Sequence, residues 1–182
     1  LNVNIDTAAA IIKRGGVVAY PTEGVYGLGC DPLNIDAVQR LITIKGRAAD
    51  KGLILIAASL GQIEPFLQPI SNEIQARLAE HWPGPVTWIM PCNDQTPALV
   101  RGGRETLAVR VTDHPVAAEL CNTCGHALVS TSANHSGAAP CLDAATVALT
   151  LGAEIDAIID APLGSLNGPT PIFDATTGKQ LR

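Results

Sequence analysis

Apolar residues change their spacing several times along this chain, and each change marks an element. Ala9, Ala10 and Ile12 share one face of a helix that Asp6 or Thr7 caps and Gly15-Gly16 ends. Val17-Val18-Ala19-Tyr20 is an apolar run of strand length, and Pro21 stops it. The ten residues that follow Pro21 hold three glycines, which predicts a loop built for close backbone approach. Asn34 caps a second helix with Ile35, Val38, Leu41 and Ile42 facing inward, so Lys45 and Arg47 arrive at its C-terminal end. Cations there complement the helix dipole, a purely structural reason for both.

Leu53-Ile54-Leu55-Ile56 reads as a buried strand, followed by helical spacing over 60–67 and 71–81, the latter capped by Ser71. Trp82-Pro83-Gly84-Pro85 breaks the chain before a strand from Val86 to Met90. Leu107 to Val111 alternates weakly and places Arg110 where it leaves the core at a strand end. Asp113 caps a helix with Pro115 in its first turn, and Gly125 closes it. Ala127-Leu128-Val129 returns as a strand whose C-terminal end carries the loop from Ser130 to Gly137, the edge that ligands favour in open α/β sheets. Asp143 caps a last helix, Ala157-Ile158-Ile159 is strand-like, and 172–181 reads as a hairpin through Thr177-Gly178. Strands mixed with helices without strict alternation, and no linker, predict one α/β domain over 1–182: a twisted, open, mixed sheet flanked by helices.

Composition refines this picture. With 47% hydrophobic but only 3% aromatic residues, aliphatic side chains must fill the core, which suits a sheet covered by helices. No apolar run approaches the roughly 20 residues needed to span a bilayer, and no basic-then-apolar leader opens the chain, which predicts a soluble, cytoplasmic protein without membrane attachment. Five cysteines form an odd set in a chain too large to need disulfide staples, so reduced thiols are expected. Cys121 and Cys124 with His126 make half of a zinc site at most, and no second pair completes it; no metal site is predicted. A net charge of -5 argues against coating nucleic acid by bulk attraction. Yet Arg40, Lys45, Arg47 and Lys51 cluster in one segment and Arg101, Arg104 and Arg110 in another, so a local basic surface forms if these loops converge.

The chemistry concentrates in two segments. Lys45-Gly46-Arg47-Ala48-Ala49-Asp50-Lys51 supplies three cations, and Ser130-Thr131-Ser132-Ala133-Asn134 supplies short polar donors. Phosphate oxygens need both, charge for neutralisation and small donors for close approach. Neither segment fits GxxxxGK or GxGxxG. With Tyr20-Pro21-Thr22-Glu23-Gly24-Val25-Tyr26-Gly27-Leu28-Gly29, Trp82-Pro83-Gly84-Pro85-Val86-Thr87 and Val109-Arg110-Val111-Thr112-Asp113-His114-Pro115, these segments resemble the YrdC/TsaC family, from about residue 9 to Arg182. Lys45-Gly46-Arg47 matches that family's KxR element and Ser132-Ala133-Asn134 its SxN element.

The resemblance implies a YrdC-like fold and an enzyme that makes threonylcarbamoyl-adenylate and pyrophosphate from ATP, L-threonine and bicarbonate, a step toward the threonylcarbamoyladenosine of tRNA. Carried over by position, it implies Lys45 and Arg47 as catalytic cations, with Lys45 steadying the carbamate or the phosphates. It implies Arg47, Lys51, Thr106, Ser132, Asn134 and Arg182 for ATP, and Thr22, Arg110, Ser130 and Thr170 for threonine. Arg110 is independently notable, because an arginine between Val109 and Val111 needs a partner. Mg2+ is expected to travel with the nucleotide. Implied partners are a downstream threonylcarbamoyl-transferase complex and, weakly, tRNA itself.

Three positions depart from the family pattern: Ala48 replaces a proline, Gly24 a frequent threonine, and Thr170-Pro171 a frequent Ser-Thr. The alternative reading is a factor that binds double-stranded RNA or tRNA or matures ribosomes. The aromatic residues speak against it, since all six sit in apolar runs or tight Pro/Gly turns and none is marked out for stacking on bases. A serine hydrolase is more distant: GxSxG is missing, and His135 lies too close to Ser132 in sequence to be taken as its base.

Overall fold

Strands send alternate side chains to opposite faces, and in this protein the two faces meet unequal cover. The computed structural model describes residues 1–182. Eight strands form one mixed sheet: β1 (Val18–Pro21), β2 (Tyr26–Gly29), β3 (Ile54–Ala57), β4 (Thr87–Pro91), β5 (Thr106–Val111), β6 (Leu128–Ser132), β7 (Ala157–Ile158) and β8 (Ile172–Asp174). Their order is β7-β1-β2-β6-β3-β5-β4-β8. Parallel pairing joins β7 to β1, β3 to β5 and β4 to β8, and the other neighbours are antiparallel. The helices are α1 (Ile5–Lys13), α2 (Ile35–Lys45), α3 (Leu60–Ile63), α4 (Asn72–Ala79), α5 (Ala98–Arg101), α6 (Pro115–Cys124) and α7 (Ala144–Leu151). None is long and apolar enough to cross a membrane.

One face is fully covered. Ala19, Leu28, Leu55, Trp88, Leu107, Val109 and Val129 point into a core of 34 buried residues that α2, α4, α5 and α7 close from the other side. The opposite face is covered only in part: α1 and α6 pack on Val18, Tyr20, Ile56, Leu128 and Ala157 in a smaller cluster of 13 residues. Farther along the same face, Ile54 pairs with Ala108 and Ser130, and Ala108 with Ile89; these side chains line an open cleft.

Most predicted elements form as read, with caps by Asn34, Ser71 and Asp143 on the amides their spacing selects. The bridge between Phe173 and Gln180 closes the expected C-terminal hairpin. Three details differ. Asn4, not Asp6 or Thr7, caps α1 by accepting from Thr7 N. The residue before α6 is His114, and Asp113 makes no cap there. The glycine-rich stretch after Pro21 contains a strand, β2, paired on both edges. Its glycines are needed because a Cβ at Gly29 would lie 2.5 Å from Val129 O and 2.7 Å from the Tyr20 ring. Tyr20 thus lies across the bare backbone of its neighbour, and its hydroxyl donates to Val129 O at 3.1 Å.

Candidate active site

The cleft, about 270 Å3, is where the half-covered face ends. Its lining contains six cations, Arg47, Lys51, Arg101, Arg104, Arg110 and Arg182, and no Asp, Glu, His or Cys. They come from four places: the turn after α2, the α5 end with the loop beyond it, strand β5, and the C-terminus. The two basic segments of the sequence therefore do converge. Mutual repulsion and burial follow from this crowding. The Arg47 guanidinium is shifted below the usual arginine range, first by burial and then by Arg104 and Arg182, and its Nε is buried without a partner. Such a field, in a recess, favours a multiply charged anion.

Thr22, Arg47, Lys51, Thr106, Arg110, Ser130, Ser132, Thr170 and Arg182 all line this cleft. Lys45 and Asn134 do not; they form its support. Gly46, with φ of 57°, ends α2 in the left-handed conformation that a glycine adopts without strain, and so separates Lys45 from Arg47. Arg47 goes to the cleft. The Lys45 side chain turns under the 132–134 segment, only 2% exposed, where Nζ donates to Ser132 O at 2.6 Å, Asn134 O at 2.6 Å and Asn134 Oδ1 at 2.8 Å. Burial, and secondarily Arg47, lowers its pKa to about 8. The Asn134 amide in turn donates to His135 O and Ala138 O, both at 2.9 Å. The KxR and SxN elements thus meet as one unit in which Lys45 holds the loop and Arg47 faces the cleft.

Strand β6 runs through Ser132, so Ser130 and Ser132 face the cleft from within the strand and not from the loop predicted after Val129. The site consequently lies on an open sheet face and not only at a strand edge. His135 is no base for Ser132: its Nδ1 contacts Ile44 O at 2.8 Å and its Nε2 lies 3.2 Å from Glu154. The Thr22 hydroxyl donates to Val25 O at 2.7 Å, which fixes its own turn.

Arg110 is buried, not projecting from the core at a strand end, and its required partner is Glu23, with Nη2 at 3.3 Å from Oε2. Its Nη1 donates to the hydroxyls of Thr87 and Thr170 at 3.2 Å each, and those hydroxyls lie 2.9 Å apart. Thr112 Oγ1 donates to Glu23 Oε1 at 2.6 Å. Sequence reasoning assigned neither Glu23, Thr87 and Thr112 in this network nor Arg101 and Arg104 on the rim. A signal existed for Glu23: an acid inside a segment as apolar as Tyr20 to Leu28 needs a buried cation as much as Arg110 needs an acid.

The strap that connects β7 to β8 closes one wall of the cleft through Gly168, Pro169 and Thr170. Gly164 N donates to Thr22 O and Leu166 N to Glu23 O, both at 3.0 Å. A Cβ on Gly24 would lie 1.9 Å from Gly168 O, so the glycine that departs from the family pattern lets the strap lie directly on the 22–25 turn. The terminal Arg182 Nη2 ties down its far end by donating to Thr170 O at 2.9 Å. Elsewhere, Cys121 and Cys124 point from α6 into the core, where burial raises their thiols to about 12 and about 11.

A family described as "Telomere recombination", Sua5/YciO/YrdC, matches residues 10–182. The chain is 53% identical to the threonylcarbamoyl-AMP synthase of Halorhodospira halophila, over 96% of this chain and 92% of that one. It is 49% identical to the Nitrosococcus oceani protein of the same name, over 100% and 98% of the two chains. Among solved structures, P. abyssi Sua5 complexed with L-threonine superposes with a TM-score of 0.91 at 35% identity, over 97% of this chain but only 52% of Sua5. E. coli YciO gives 0.80 at 27% identity, over 93% of this chain and 82% of YciO. With a family match across nearly its whole length and relatives near half identity, this chain belongs to the Sua5/YciO/YrdC family.

Proposed function

We propose that this protein is a threonylcarbamoyl-AMP synthase, a nucleotidyltransferase that uses ATP and L-threonine and serves threonylcarbamoyladenosine formation in tRNA. The observation that carries the reading is one cleft that gathers six cations without an acid on its lining and ends at a paired, buried arginine. Bicarbonate is the third substrate in this reading. The threonine amine and bicarbonate form a carbamate with loss of water, a carbamate oxygen attacks the α-phosphorus, and the bond to the β-phosphate breaks to release pyrophosphate. Charge accumulates on phosphate oxygens throughout, so the protein's contribution is alignment and electrostatic stabilisation.

Arg47, Lys51, Arg104 and Arg182 are positioned to neutralise the triphosphate, and Arg47, half-buried with an unspent Nε–H, is the best placed for charge that develops in the reaction. Thr106 and Ser132 offer hydroxyls to the nucleotide, and Lys45 with Asn134 keeps the Ser132 segment in place. Arg110 takes the threonine carboxylate, aided by Thr170, while Thr22 and Ser130 line the amino-acid end. The lining carries no carboxylate, so none of its residues would hold a resident divalent cation, and Mg2+ accompanying the ATP substrate would supply further neutralisation of phosphate charge. The product passes to a transferase complex that acts on tRNA.

The deciding experiment mixes pure protein with ATP, L-threonine and bicarbonate and measures pyrophosphate, omitting each component in turn. Release that requires both threonine and bicarbonate is expected. Release indifferent to threonine would overturn the reading.

A further inference from the structure

The six cations of the cleft are not electrostatically equivalent. Arg47, Lys51, Arg101, Arg104 and Arg182 form no ion pair, whereas Arg110 is paired with Glu23. Glu23 is 4% exposed and lies behind Arg110; it lines a second cavity beside His114 and the strap, not the cleft itself. Its place is fixed from several sides: Thr112 Oγ1 holds Oε1, Leu166 N holds its carbonyl, and a Cβ on Gly164 would lie only 2.8 Å from its Cα. So firmly placed a carboxylate leaves N–H donors on Arg110 while it cancels most of that residue's long-range field.

A cleft that attracts a triphosphate faces a sorting problem. Phosphate and pyrophosphate carry more charge than an amino-acid carboxylate, and Coulomb attraction scales with that charge. A sixth unpaired cation at the inner end would therefore hold these anions better than threonine, whose own ammonium the cation repels. Pairing reverses the preference, because a neutral arginine–carboxylate unit still donates to a carboxylate but offers a dianion no net charge. We propose that Glu23 determines specificity by excluding phosphate-class anions from the Arg110 end of the cleft and reserving it for an amino-acid carboxylate. The proposal rests on the reading that Arg110 takes that carboxylate.

L-Threonine is titrated calorimetrically into the protein at rising inorganic phosphate. In the wild type, threonine affinity changes less than about twofold while phosphate competes with ATP. In Glu23→Gln, which keeps the acceptor for Thr112 and loses the charge, phosphate weakens threonine binding at least about tenfold at the same concentrations. Glu23→Asp, which keeps the charge, behaves as the wild type. Competition between phosphate and threonine in the wild type, or none in Glu23→Gln, overturns the proposal; the wild-type arm alone can overturn it even if the glutamine variant does not fold. Arg110→Lys keeps a charge for Glu23 and loses the guanidinium fork. If it binds threonine normally, the Arg110 reading falls and takes the proposal with it; if it loses threonine while Glu23→Gln stays insensitive to phosphate, only the role of Glu23 falls.

Discussion

Replacing Lys45 by methionine removes an ammonium and keeps a side chain of similar length, which separates two roles for this residue: ligand of the substrate, or anchor of the loop. Three oxygens of Ser132 and Asn134 accept from Nζ at 2.6–2.8 Å. Hydrogen bonds to a charged group are worth roughly 1.5–3 kcal/mol each. The cost of burying the ammonium, the first cause of its lowered pKa, offsets much of that. A net loss of about 2 kcal/mol remains, which in a chain of this length lowers Tm by about 4–8 °C. Arg47→Ala is the control: its side chain is half-buried and its Nε lacks a partner, so about a hundredfold loss of pyrophosphate formation should come with an unchanged Tm.

Dependence on pH sharpens the contrast. Lys45 in the folded protein has a pKa of about 8 against 10.5 for the unpartnered group. Between those values the unfolded chain holds the proton and the folded one does not, so the protonation penalty on global stability is present in full below pH 8, where Lys45 is charged in both states, and is relieved as the pH rises from 8 to 10.5. The loop anchor follows the opposite course, since a neutral amine has two donors for three acceptors. ATP affinity of the wild type should therefore fall above pH 8 while its Tm advantage over Lys45→Met widens, and the variant should lack the alkaline loss of affinity. Calorimetry with ATP and thermal melts from pH 7 to 10 test both. A Lys45→Met protein with wild-type Tm but no turnover would refute the anchoring role and return Lys45 to the substrate.

Arg110→Lys should weaken threonine binding by about ten- to a hundredfold, the range of one charge-assisted pair, and leave ATP binding nearly unchanged; separate titrations check this, and a larger ATP defect would move Arg110 to the phosphate side. Gly24→Ala places a Cβ against Gly168 O and should cost about 1–3 kcal/mol by lifting the strap, with threonine affinity falling alongside Tm. The thiols of Cys30 and Cys121, pushed up to about 12 by burial, and of Cys124, to about 11, should resist an aromatic disulfide reagent at pH 8 and react once denaturant unfolds the chain.

Where one local signal decided an element, the sequence was legible: Asn34, Ser71 and Asp143 cap the helices their spacing implies, and the aliphatic runs of β3 to β6 are strands. Strand β2 was hidden because its outward positions are glycines, which look like loop residues until the Tyr20 ring across them is seen. The site was legible as motifs but not as an arrangement. KxR reads as two cations side by side, and only the left-handed turn at Gly46 sends one to the cleft and the other beneath the loop. Glu23 and Arg110 are far apart in sequence, and nothing in either local pattern names the other; their pairing is a product of where the 22–25 turn meets β5.

Charge distribution over the molecule bears on the RNA-binding alternative. Six of the twelve Lys and Arg residues line the cleft, so the other six share the rest of the protein with all seventeen Asp and Glu residues. Outside the cleft the surface is strongly acidic. A binder of double-stranded RNA tracks phosphates over many base pairs and needs cations spread along an extended face. The aromatic residues offer no substitute, since Tyr20, Tyr26, Phe66 and Trp88 are buried and Trp82 and Phe173 pack against the core. Positive charge gathered into about 270 Å3, in a chain that is otherwise rich in acid, is matched to a small polyanion that fits inside and not to a long one that cannot.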